Sequence, residues 1–119
     1  MPQNNRAVGT HYERVAGRYL ESKGYKILEY NYRCYKGEVD IITRYADTIV
    51  FIEVKYRMNN SKGVPSEAVN KTKRRAISQV AVNYLTTKLQ TTDIPCRFDV
   101  ISILDNDIIH YENAFDFEP

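Results

Sequence analysis

Residues 37–57 read GEVDIITRYADTIVFIEVKYR. Two β-rich runs, Gly37–Tyr45 and Thr48–Arg57, flank the two-residue link Ala46–Asp47, which is the pattern of an antiparallel hairpin. A turn centred on that link sets Asp40 opposite Glu53, Glu38 opposite Lys55 and Ile42 opposite Phe51. The other face then carries Val39, Ile41, Val50, Ile52 and Val54, all apolar, so the hairpin is expected to be buried. Directly opposed side chains stand ~4.5–5.5 Å apart at Cβ, and like charges at that distance are destabilising. Two carboxylates are thus expected together, at a cost, at the end of a buried hairpin.

The flanking sequence supplies helices. Tyr12, Val15, Ala16, Tyr19 and Leu20 follow the i, i+3, i+4, i+7, i+8 stripe of an amphipathic helix, and Gly24 is placed to end it. Ile77, Val80, Ala81, Tyr84 and Leu85 repeat the spacing, predicting a second helix from about Glu67 to Thr87. Tyr25–Tyr32, Arg97–Leu104 and a short Ile108–Tyr111 segment read as further strands, the last two separated by Asp105, Asn106 and Asp107. The expected order is αβββαββ. It implies an α/β domain, a mixed sheet of about five strands flanked by two main helices. Residues 58–65, with Asn59, Asn60, Ser61 and Gly63, have loop composition and are expected to be mobile.

The chain of 119 residues fits one domain, 1–119. Its 43% hydrophobic and 27% charged residues are those of an ordinary globular protein. No run reaches the ~20 apolar residues of a membrane span, and Met1–Thr10 lacks the apolar stretch of a signal peptide. A cytoplasmic protein without a membrane partner is expected. Cys34 and Cys96 form neither a disulfide framework nor a metal-binding spacing. The net charge is only +2, yet it is segregated. Lys55–Arg75 holds seven basic residues against Glu67 alone, whereas Phe98–Pro119 holds six acids and no Lys or Arg. Such asymmetry suits a polyanionic partner on one side, or a solvated helix face.

Paired carboxylates at a low-dielectric rim either share a proton or bind a cation. Lys55, two residues from Glu53 on the same face, suits the second arrangement to phosphodiester hydrolysis. A divalent ion acidifies water and clamps a phosphate oxygen, while an ammonium offsets developing charge. The alternative is a sheet edge laced by Glu38–Lys55 and Glu53–Arg57 ion pairs, with the register slipped by one.

Glu13 in the first helix, Asp40 in GEVD (37–40) and Glu53 with Lys55 in EVK (53–55) resemble the PD-(D/E)XK nuclease signature, in an order and spacing similar to archaeal Holliday-junction resolvases. Val39 stands where that signature has proline. GEVD, FIEVKYR (51–57), GVPSEAV (63–69), KTKRR (71–75) and RFDVISI (97–103) together resemble the bacterial YraN-like family of predicted endonucleases, over nearly the whole chain. The resemblance implies a restriction-endonuclease-like core. It further implies Asp40, Glu53 and the Val54 carbonyl as ligands of Mg²⁺ or Mn²⁺, Lys55 as the catalytic lysine, and Glu13 as an assisting catalytic acid. Thr10 and Glu13 also have the spacing of a capping box, which explains Glu13 without chemistry.

Lys71, Lys73, Arg74 and Arg75 open the second helix, where cations oppose its dipole. With Arg57 they are the candidate contacts to DNA phosphates. Tyr30, Tyr32 and Tyr35 can stack on bases or pack at a core edge. His11 and His110 lack partners at ligand spacing, and Asp99 is expected to form a salt bridge with Arg97 or with a helix residue. No nucleophile with an ordered base and no phosphate-cradling glycine loop is present, which disfavours acyl transfer and P-loop chemistry. The reading is a metal-dependent endonuclease acting on DNA, branched or flapped DNA included, with a homodimer as the route to cutting both strands. The alternative is a non-catalytic nucleic-acid-binding or assembly protein that keeps the nuclease fold.

Overall fold

Thr48–Arg57 is apolar at Ile49, Val50, Phe51, Ile52 and Val54, all buried, the composition of a strand covered on both faces. In the computed structural model, which describes residues 5–57 and 69–119, this strand is the centre of the sheet. The elements are α1 (Asn5–Ser22), β1 (Lys26–Cys34), β2 (Gly37–Tyr45), β3 (Thr48–Arg57), α2 (Lys71–Tyr84), β4 (Cys96–Leu104) and β5 (Asp107–Phe115). A π-helical turn, Leu85–Leu89, extends α2. The strands lie in the order β1-β2-β3-β4-β5. All neighbours are antiparallel except β3 and β4, which run parallel across the α2 crossover. The molecule is therefore α/β, with a five-stranded mixed sheet and two main helices.

Each helix covers one face of the sheet. Ala16 and Leu20 of α1 pack with Tyr25, Ile41, Val50, Ile52, Val54, Ile101 and Ile103. On the opposite face Ile77, Val80, Ala81 and Tyr84 of α2 pack with Ile42, Ile49, Phe51, Phe98 and Val100. Val39 joins the α2 side although Ile41 belongs to the α1 side. The expected alternation along β2 is therefore broken at Asp40.

Most element limits follow the periodicity, and the differences have local causes. The hairpin pairs Tyr45 with Thr48 and Ile42 with Phe51 in the expected register, which removes the slipped-register alternative. The ladder stops at Ile41–Ile52, so Glu38 does not face Lys55. It pairs instead with Arg33 of β1, at 2.8 Å. Helix α1 is already formed at Asn5, leaving Thr10 and Glu13 inside it, and the capping-box reading falls. The second helix opens at Lys71, later than expected, because Asn70 accepts the Lys73 N–H and caps it. Strand β5 continues past Tyr111 to Phe115 because it pairs with β4 as far back as Phe98. The expected mobile loop at 58–65 lies outside the described residues.

Gly17 is where α1 meets the sheet most closely. A Cβ there would lie 1.9 Å from the Tyr30 hydroxyl, and the Tyr30 ring is held by the Arg14 guanidinium, 4.0 Å from its centroid. Gly17→Ala is therefore expected to destabilise the protein by ~1–3 kcal/mol through overpacking, against the ~1 kcal/mol that helix propensity alone would add. Urea unfolding measures this, and a stabilised variant would show that α1 does not press on Tyr30.

Candidate metal centre

The site begins where the β2–β3 ladder ends. Beyond the Ile41–Ile52 pair no backbone partner on β2 takes the Val54 N–H. The Asp40 carboxylate takes it instead, with Oδ2 accepting at 2.8 Å. This contact ties Asp40 to the strand that carries Glu53, whose side chain is only 5% exposed. Burial drives the Asp40 carboxyl up to about 8, and the adjacent Glu53 charge adds to that. The Val54 N–H opposes the rise, and Glu13 contributes a smaller push from α1. Glu53 raises the Asp40 pKa both through its charge and through a side-chain hydrogen bond, so the metal-free pair has the proton-sharing arrangement although the two residues are not a ladder pair.

Two lysines answer the acids. Lys55 Nζ lies 3.6 Å from Glu53 Oε2, and Lys73, reaching in from the first turn of α2, contacts the same oxygen. Burial lowers the Lys55 pKa against the pull of Glu53, and Lys73 lowers it further. For Lys73 burial works downward too, but its hydrogen bond and charge contact with Glu53 outweigh it and raise the pKa. The donor set suits a hard divalent cation. Mg²⁺ takes one or two carboxylates and keeps several waters, and Asp40 with Glu53 supplies that number. No group of three or more His, Cys, Asp or Glu side chains converges among the described residues.

Glu13 stands beside this pair. Its Oε1 accepts from Asn31 Nδ2 at 2.8 Å, and both residues line a cleft of about 470 Å³ with Arg6, Thr10, Arg33 and Glu38. Asn31 adopts a left-handed φ of 54° between Tyr30, paired with Ile41, and Tyr32, paired with Val39. It thus lies across from Asp40. Sequence reasoning missed Asn31. Its only signal was that asparagine tolerates this conformation better than other side chains do.

The basic cluster divides. Lys73 faces Glu53, and Arg74 donates to the Val69 carbonyl at 2.8 Å and approaches Glu118 at 3.5 Å. Lys71 and Arg75 are exposed at the helix start, and Arg57 is half-buried at the end of β3. Of the tyrosines, Tyr30 packs under Arg14 and Tyr32 donates to Asn83, whereas Tyr35 is 85% exposed. Asp99 lies apart and fully buried. Arg97 forks onto it at 2.9 Å, and His110 and the Asn113 N–H complete its hydrogen bonds, which is the structural use expected of it. Cys34 and Cys96 are free thiols. No helix among the described residues is long and apolar enough to cross a membrane.

The model of the uncharacterised protein family UPF0102 matches residues 12–103, a span that includes Glu13, Asp40, Glu53, Lys55 and Lys73. A UPF0102 protein of Lachnoclostridium phytofermentans is 44% identical over 113 residues, covering 95% of this chain and 96% of its own. One from Clostridioides difficile is 47% identical over 114 residues, covering 94% and 99%. One from Geobacter metallireducens is 44% identical over 120 aligned residues, covering 98% of each chain.

The Asp40 shift carries a signed pH dependence. Its native pKa of about 8 exceeds the ordinary 3.8, so from about pH 4 to 8 the native state keeps a proton that the unfolded chain has released. Stability from this group is full below that window and falls as pH rises through it. In chelator-treated protein, wild type is expected to lose at least ~1.4 kcal/mol relative to Asp40→Asn between roughly pH 5 and 8.5, the worth of a single pKa unit. Parallel stability–pH curves would show that Asp40 does not resist ionisation.

Proposed function

We propose that this chain, which belongs to the uncharacterised protein family UPF0102, is a divalent-metal-dependent endonuclease-like protein. In this reading it hydrolyses phosphodiester bonds in DNA, branched or flapped DNA included. The observation that carries the reading is the pairing of half-buried Asp40 with buried Glu53, Asp40 held by the Val54 N–H and Glu53 with Lys55 at 3.6 Å. Two acids held side by side repel one another; Lys55 and Lys73 offset this on Glu53 alone, whereas a divalent cation between the acids relieves it at both. The hairpin between flanking helices further supports a restriction-endonuclease-like core of the PD-(D/E)XK type.

Asp40, Glu53 and the Val54 carbonyl are the groups to hold Mg²⁺ or Mn²⁺. A strand residue directs its N–H and C=O toward the same edge, so this carbonyl shares the edge on which Asp40 accepts. When bound, the ion supplies a Lewis acid for the phosphate oxygen and lowers the pKa of water. Lys55 offsets the negative charge that develops at phosphorus and orients the attacking water. Glu13, turned by Asn31, orders water at the cleft rim. Lys71 and Arg75 present phosphate contacts at the start of α2. Arg57 lies at the end of β3, where the strand leaves the site. One site per chain cuts one strand at a time, so symmetric cutting of a duplex takes a homodimer.

Two experiments test this reading. Lys55→Ala is expected to slow single-turnover cleavage of a flapped or four-way DNA substrate at least ~10²-fold, with metal and DNA affinities changed less than about tenfold. Equal residual cleavage by wild type and variant at every metal concentration would identify that activity as contamination and leave the non-catalytic binding protein as the better account. The Lys71→Glu, Arg75→Glu double variant is expected to weaken DNA binding similarly across sequences and to flatten the log K against log salt slope by about 2, roughly one for each phosphate that is no longer neutralised. An unchanged slope would move the DNA surface elsewhere.

A further inference from the structure

Metal-free, the site is already close to neutral. Asp40 and Glu53 bring at most two negative charges, and Lys55 and Lys73 bring two positive ones, both directed at Glu53 Oε2. The Glu53 side chain is nearly buried, whereas that of Lys73 is 43% exposed, so the lysine has room to leave and the carboxylate does not. A Mg²⁺–oxygen bond of about 2.0–2.1 Å fills the lone-pair direction that an ammonium in contact uses. A divalent ion held between Asp40 and Glu53 and the Lys73 ammonium therefore compete for the charge of one carboxylate.

Resting on the metal-site reading above, we propose that Lys73 is the resident counter-ion of the metal-free site, and that a divalent cation enters by exchanging with its ammonium on Glu53. The exchange has a direction set by α2. Lys73 sits in the first helical turn, its own N–H fixed by the Asn70 cap, so its backbone stays while its side chain swings. Released, the ammonium stays on the face of α2 that turns toward Glu53, because Lys71 and Arg75 lie two residues away on either side and point to the opposite face. Cation entry thus frees one ammonium at the rim of the site. Lys73 is a positioning residue in this scheme, since it acts through Glu53.

The test is Mn²⁺ titration of the free protein by calorimetry, without DNA. Lys73→Gln and, separately, Lys73→Met are expected to bind Mn²⁺ at least tenfold more tightly than wild type. Lys73→Arg, which keeps a competing cation, is expected to stay within about threefold of wild type. Lys36→Gln removes one exposed charge from the β1–β2 turn, and it too should stay within threefold. A ¹⁵N spectrum of the lysine ammonium groups should show the Lys73 signal change on Mg²⁺ addition to wild type. Unchanged or weaker Mn²⁺ binding in both Lys73→Gln and Lys73→Met overturns the exchange while leaving the metal site standing. Equal tightening in Lys36→Gln also overturns it, because the effect would then be the general field of the protein. No Mn²⁺ binding by wild type or any Lys73 variant removes the metal site itself, and the exchange with it.

Discussion

The interaction on which the site depends is the hydrogen bond from the Val54 N–H to the Asp40 carboxylate. The hairpin ladder stops at Ile41–Ile52, and without that side chain the next β3 amide would lack its ladder partner inside the sheet, a costly omission. Asp40 therefore finishes the ladder with a side chain where a backbone carbonyl would otherwise serve. Its second oxygen and the neighbouring Glu53 are left facing the same small space, and they raise one another's energy. The sheet is firm enough to hold that conflict because β3 is buried on both faces, under α1 on one side and α2 on the other.

The surrounding elements then read as responses to the conflict. Strand β3 supplies Lys55 from the face that bears Glu53, and α2 supplies Lys73 to the same oxygen. Helix α1 holds Glu13 nearby, turned by Asn31 from a strained position in β1. Four separate segments meet at the end of one hairpin. Such convergence gives a site its geometry and brings two acids and two lysines within reach of one another.

Much of this was legible in the sequence, for identifiable reasons. Turn length fixes register, so the Ala46–Asp47 link predicted the Ile42–Phe51 pairing. The stripes through Leu20 and Val80 predicted which helix faces turn inward. What failed lay where side chains override periodicity. Asp40 ends the ladder, so Glu38 goes to Arg33 and not to Lys55. The capping-box spacing of Thr10 and Glu13 carried no information because α1 starts upstream of it. The basic run at 71–75 read as one surface, but helical spacing turns Lys73 toward Glu53 and Arg74 toward Val69 and Glu118, leaving Lys71 and Arg75 outside. Asn31 had no readable signal beyond its residue type, because its role comes from a left-handed backbone position in β1 across from Asp40.

The central claim is that the Asp40–Glu53 pair exists to hold a divalent cation. The most direct measurement is a crystal structure of the protein grown with Mn²⁺, using anomalous scattering to locate the ion. The account predicts a peak about 2 Å from oxygens of both Asp40 and Glu53, with the Lys73 ammonium withdrawn from Glu53. A well-ordered site without an anomalous peak, with Lys73 still on Glu53 at millimolar Mn²⁺, would contradict it.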